Sequence, residues 1–77
     1  MPHAYVLVNA ETGAEDKVLR QLKNMAIVEE AYVSYGVYDL IIKVKAETME
    51  ALKEAVTHKI RTLTEVRSTL TLIVVEE

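Results

Sequence analysis

Apolar and polar positions along this chain fall into six blocks that switch between two periods. "AYVLVNA" (residues 4–10) is short and β-branched, with Tyr5 and Leu7 at one parity and Val6 and Val8 at the other. It predicts a strand that is apolar on both faces. In "TGAEDKVLRQLKNM", Val18, Leu22 and Met25 recur at i, i+4 and i+7, with Leu19 beside them. That is the stripe of a helix with one buried face. Thr12 and Glu15 stand at capping-box spacing, which predicts a reciprocal cap at its start. Glu15 and Asp16 at one end and Lys23 near the other complement the helix dipole.

"IVEEAYVSYGVYDLIIKVKA" predicts two strands joined in a tight hairpin at Gly36, where glycine supplies the positive φ. Ala31, Val33 and Tyr35 share one face of the first strand, and Glu30, Tyr32 and Ser34 the other. On the second, Tyr38, Leu40, Ile42 and Val44 alternate with Asp39, Ile41, Lys43 and Lys45. "ETMEALKEAVTHKIRTL" predicts a second helix, capped by Thr48 and carrying Met49, Leu52, Val56, Ile60 and Leu63 at helical spacing. "VRSTLTLIVVEE" predicts a last strand, with Val66, Ser68, Leu70, Leu72 and Val74 on one face and Arg67, Thr69, Thr71, Ile73 and Val75 on the other.

The order β-α-β-β-α-β is the split-βαβ, ferredoxin-like pattern of the α+β class. It places two helices on one face of a four-stranded antiparallel sheet. A chain of 77 residues makes one domain, 1–77. So small a domain buries only about 60% of the surface its unfolded chain exposes. With no cysteine, disulfides and thiolate metal sites are excluded. Association is the device left, and 51% apolar residues favour it. The uncovered sheet face should be polar in a monomer. Here Tyr5 or Val6, Leu7 or Val8, Ile41, and the run Ile73-Val74-Val75 put large apolar groups on it. The expectation is a homodimer packed sheet on sheet.

Charge narrows the partners. Nine Lys and Arg are scattered among twelve acids, for a net charge of −3. Nucleic-acid binding draws on clustered cations, so direct binding is not expected. No apolar run approaches the roughly 20 residues of a membrane span, and Met1-Pro2-His3 offers no signal peptide. A soluble, cytoplasmic chain is expected. His3 and His58 have no ligand or triad spacing, and Glu29-Glu30 and Glu76-Glu77 read as solvated faces and tails. Neither an enzyme nor a cofactor is expected.

Gly36 to Asp39 is the stretch with chemistry. Asp39 has two readings: a carboxylate bonded to the hairpin's own amides, or an acceptor for a ligand's ammonium. In the second, the glycine corner bares backbone groups, and Thr69 and Thr71 offer hydroxyls to a carboxylate. Enclosure at a subunit junction would strengthen each interaction.

With these residues in view, "SYGVYDLIIKVKAETMEALKEAVTHKIRTLTEVRSTLTLIVV" resembles the effector-binding C-terminal domain of the Lrp/AsnC, or feast/famine, regulators. The similarity spans essentially the whole chain. It rests on the element order, on Gly36-Val37-Tyr38-Asp39 as a Gly-x-x-Asp hairpin, and on Val66-Arg67-Ser68-Thr69-Leu70-Thr71 as a Val-x-x-Thr-x-Thr start to the last strand. Thr64-Glu65-Val66 stands where the family often has Pro-Gly-Val. The resemblance implies dimers through the open sheet faces, assembling into octamers or decamers. It implies an amino-acid effector between dimers, with ligand roles for Gly36, Tyr38, Asp39, Thr69 and Thr71, and Tyr35 lining the pocket. Full-length members carry a helix-turn-helix before this domain. The expectation is a stand-alone effector domain acting in transcriptional or metabolic regulation, possible partners being full-length regulators of the family. Two rival readings use the same fold: a small enzyme of the dimeric α/β-barrel kind, and a purely structural assembly module.

Overall fold

A computed structural model describes residues 1–75; the Glu76-Glu77 tail lies outside the described residues. The elements run β1 (His3–Ala10), α1 (Glu15–Lys23), β2 (Val28–Val33), β3 (Leu40–Lys45), α2 (Met49–Ala55) and β4 (Val66–Val74). The strands form one antiparallel sheet in the order β2-β3-β1-β4. The expected ferredoxin-like order is the observed one.

Strand alternation sorts the sheet into two faces. Ala4, Val6 and Val8 of β1 lie beside Val44, Ile42 and Leu40 of β3. Both sets are buried with Val18 and Leu22 of α1 and with Leu52, Val56 and Ile60. That is the helix-covered face and the core. Met25, Met49 and Leu63 pack at its edge. The helical stripes read from the sequence are therefore the buried ones.

Two local details differ from the sequence reading. Thr12 does not cap α1: Ala14 holds the cap position, and no side chain bonds there. Gly13 turns the chain with φ 86°, and the Ala14 amide bonds the Glu11 carbonyl instead. The helix begins two residues too late for a Thr12–Glu15 box. At the other helix, Thr48 is the cap: its hydroxyl accepts from the Ala51 amide at 3.0 Å. After Ala55 the helix widens into a π turn, Val56–Ile60. It keeps Val56 and Ile60 inward while His58 stays exposed.

The hairpin at Gly36 is also wider than predicted. β2 stops at Val33 and β3 starts at Leu40, so residues 34–39 form a loop closed by the Ser34 amide on the Asp39 carbonyl, 2.7 Å. Tyr35 and Tyr38 belong to that loop and to neither strand. Gly36 holds φ 128°, which other residues rarely adopt.

The open face is read from the registers. Tyr32, Ile41, Leu7 and Leu70 are successive cross-strand neighbours, one apolar row across all four strands. The next row is Glu30, Lys43, Tyr5 and Leu72. Tyr32 is 56% exposed, Leu70 44% and Leu72 50%. Leu72 and Val74, not Ile73, carry the apolar end of β4 on this face, because Ile73 pairs with Ala4 and packs on the core.

Candidate functional site

Asp39 sits where three strands end together. Its backbone amide donates to the Val8 carbonyl at 2.9 Å. Its carboxylate accepts from the Ala10 amide at 3.0 Å. The first reading of Asp39 thus needs correction: the carboxylate holds an amide of β1, and not the hairpin's own. The β2–β3 loop is pinned to the far end of β1 by both halves of one residue.

Asp39 faces an open cleft of about 450 Å³, lined also by Asn9, Ala10, Thr12, Glu15, Arg67 and Ser68. That size falls in the range of small-molecule sites, about 300–1,000 Å³. Asn9 and Ser68 are register partners, and the Asn9 side-chain amide donates to the Ser68 hydroxyl at 3.2 Å. The wall is polar, with carboxylates at Asp39 and Glu15 and a guanidinium at Arg67. Lys17 bridges Glu65 at 3.0 Å, joining α1 to the turn before β4. The Glu11 amide bonds the Glu65 carbonyl at 2.8 Å, which ties that turn to the end of β1.

The other expected site residues are spread around this cleft. Gly36 and Tyr35 are at the exposed loop tip, Tyr35 98% exposed, and Tyr38 is half-buried. Thr69 pairs with Val8 and lines a neighbouring hollow with Arg61, Val66, Arg67 and Ser68. Thr71 is further along β4, beside Leu52, Lys53, Val56 and Arg61. Within one chain the six do not converge on one point. Asn9, Thr12, Glu15 and Arg67 share the Asp39 cleft but were not expected as ligand residues from the sequence. Pairing the first and last strands antiparallel would have brought Asn9 to Ser68; Gly13 marks the turn after β1, but not that it carries Thr12 and Glu15 to the Asp39 cleft.

Among the described residues, no group of three or more His, Cys, Asp or Glu could hold a metal ion, and no helix is long and apolar enough to cross a membrane. A two-helix, open-faced sheet with a polar cleft at one end defines a small ligand-binding domain. The chain belongs to the Lrp/AsnC ligand binding domain family, whose model matches residues 3–77. It is 40% identical over 58 residues to the regulatory protein AsnC of Escherichia coli K12, across 75% of this chain but only 38% of AsnC. The solved E. coli AsnC superposes with a TM-score of 0.90 at 30% identity, covering 99% of this chain and 52% of that one. The solved protein FFRP-DM1 superposes with a TM-score of 0.95 at 41% identity, covering 97% of this chain and all of that one (100%). The transcriptional regulator NMB0573 of Neisseria meningitidis, solved with L-Met, shares the fold at a TM-score of 0.88 and 15% identity, over 99% of this chain and 51% of that one. The curated relatives are regulatory proteins, not enzymes, and the matched stretch covers only 38–39% of their length.

Proposed function

We propose that this chain is an amino-acid-sensing regulatory module whose effector binds in the Asp39 cleft, walled on its open side by another copy. The observation that carries the reading is the Asp39 carboxylate, fixed by the Ala10 amide at the mouth of a polar cleft in a chain of a ligand-binding family. One carboxylate oxygen is held by the backbone, which leaves the other for an ammonium group. That the Neisseria regulator, which shares the fold, was solved as a complex with L-Met is in keeping with a free amino acid as ligand.

The open side of the cleft argues for a shared site. Small-molecule pockets bury 70–90% of a ligand. An open groove on one chain cannot. Tyr35, bared at the adjacent loop tip, and Thr69 and Thr71 on the edge strand are surfaces a neighbouring copy would meet. The apolar row Tyr32-Ile41-Leu7-Leu70 supplies the driving force for pairing sheet on sheet, at about 25 cal/mol per Å² of apolar surface covered. Dimers formed that way leave the Asp39 ends free to meet in larger rings. Regulation then passes through ligand-dependent assembly, with like copies or with full-length regulators that share the same face.

Calorimetric titration of the chain with each of the twenty amino acids tests the reading. Saturable heat with at least one is the expected result. A ligand at 100 times its Kd stabilises the fold by about 2.7 kcal/mol, a shift readily seen in melting. Silence with all twenty, in heat and in melting, would sink it.

A further inference from the structure

We infer that Arg67 reads the carboxylate of the ligand in the Asp39 cleft, making it a specificity-determining residue; this rests on the amino-acid reading above. The first observation is a register shift. Asn9 pairs with Ser68, but the next residue, Ala10, pairs with Val66, so Arg67 is the extra residue of a β-bulge. A bulge bends its strand and re-aims the side chain it carries. In regular alternation Arg67 would simply join Thr69 and Thr71 on the helix-side face. As built, it lines both the Asp39 cleft and the adjoining hollow that holds Thr69.

The second observation is that its charge is uncommitted. Among the described residues, Arg67 makes no hydrogen bond or ion pair, whereas Asp39 holds Ala10, Asn9 holds Ser68 and the neighbouring Lys17 holds Glu65. Glu15 lines the same cleft without bridging to the guanidinium. The cleft therefore sets a backbone-anchored carboxylate against an uncommitted guanidinium. An α-amino acid presents the complementary pair, ammonium and carboxylate on one carbon. A guanidinium matches a carboxylate with two parallel N–H donors, a geometry that an amide or a bare amine cannot fill.

The inference separates acids from their neutral analogues. A charge-assisted hydrogen bond contributes about 1.5–3 kcal/mol, which is roughly tenfold or more in affinity. The test titrates the 77-residue chain with the twenty amino acids, and then with the α-amide of each one that binds. The unaltered chain should bind the acid at least about tenfold more tightly than its amide. Arg67→Gln should lose about tenfold for the acid and treat acid and amide alike, while Arg67→Lys keeps part of the preference. The exposed position of Arg67 means its melting temperature should not move. If Arg67→Gln retains both the affinity and the preference, Arg67 has no such role and the Asp39 reading survives. If no amino acid binds the unaltered chain, the Asp39 reading fails and takes this inference with it.

Discussion

The Asp39 carboxylate accepts the Ala10 amide at 3.0 Å, so the loop after β2 is latched to the last residue of β1. The bond divides two roles that one substitution can confuse. Asp39→Asn keeps a side-chain oxygen for the Ala10 amide and removes the charge. It should melt close to the unaltered chain yet bind amino acids at least about tenfold more weakly. Asp39→Ala leaves a half-buried amide without its partner and should cost about 1–3 kcal/mol as well. Urea unfolding beside calorimetry reads both. Equal ligand affinity in Asp39→Asn would show that the carboxylate is structural alone.

The two candidate caps make opposite predictions. Thr48→Ala removes the hydroxyl that accepts from Ala51 and should cost about 1 kcal/mol. Thr12→Ala touches no cap and should stay within about 0.5 kcal/mol. Chemical denaturation of the pair decides it.

Acid should weaken one corner of the sheet. The Lys45 ammonium hydrogen-bonds Glu29 at 3.1 Å and, with Lys43 at 3.5 Å, holds its carboxyl below the ordinary glutamate value. A lowered folded pKa contributes stability that is complete above the ordinary value, about 4.3, and is lost as pH falls through the lowered one. The stability gap between the unaltered chain and Glu29→Gln should therefore shrink on going from pH 7 to pH 3. Tyr32 has the opposite sign. Its hydroxyl donates to Glu30 at 2.7 Å, which raises its pKa, so its contribution holds below about pH 10 and is lost as pH rises through the raised value. A gap that widens in acid would contradict the Glu29 assignment.

The apolar row on the open face predicts a clean separation of folding from association. Leu70→Lys puts a charge on an exposed side chain at the β4 end of that row, away from the core. It should leave the circular dichroism spectrum unchanged and weaken self-association by at least about tenfold. Loss of the fold instead would mean that Leu70 works within one chain.

How much of this was legible in the residues alone follows from the range of each interaction. The stripes Val18-Leu22 and Leu52-Val56-Ile60, and the alternation of Leu40, Ile42 and Val44, are local patterns, and they are the observed core. Thr48 was legible because a cap needs only its own next residues. The Thr12 box failed at equally short range, since Gly13 turns the chain before the helix starts. The loop length between β2 and β3 was misjudged because Asp39 answers to β1, 29 residues away, and that bond ends the pairing early. The Arg67 bulge was not legible at all: it exists only in the register between the first and last strands. The cleft is built mainly of such distant pairings, so its central carboxylate alone was legible in the residues, and the fold supplied the rest.

Sedimentation equilibrium of the chain at micromolar concentration bears most directly on the central claim, that copies pair through the open sheet face and that these pairs meet at their Asp39 ends, where each walls the other's cleft. The account predicts a mass that is an even multiple of one chain, four or more with amino acid present, and a fall towards one chain for Leu70→Lys. A single-chain mass for the unaltered protein, with or without amino acids present, would contradict it.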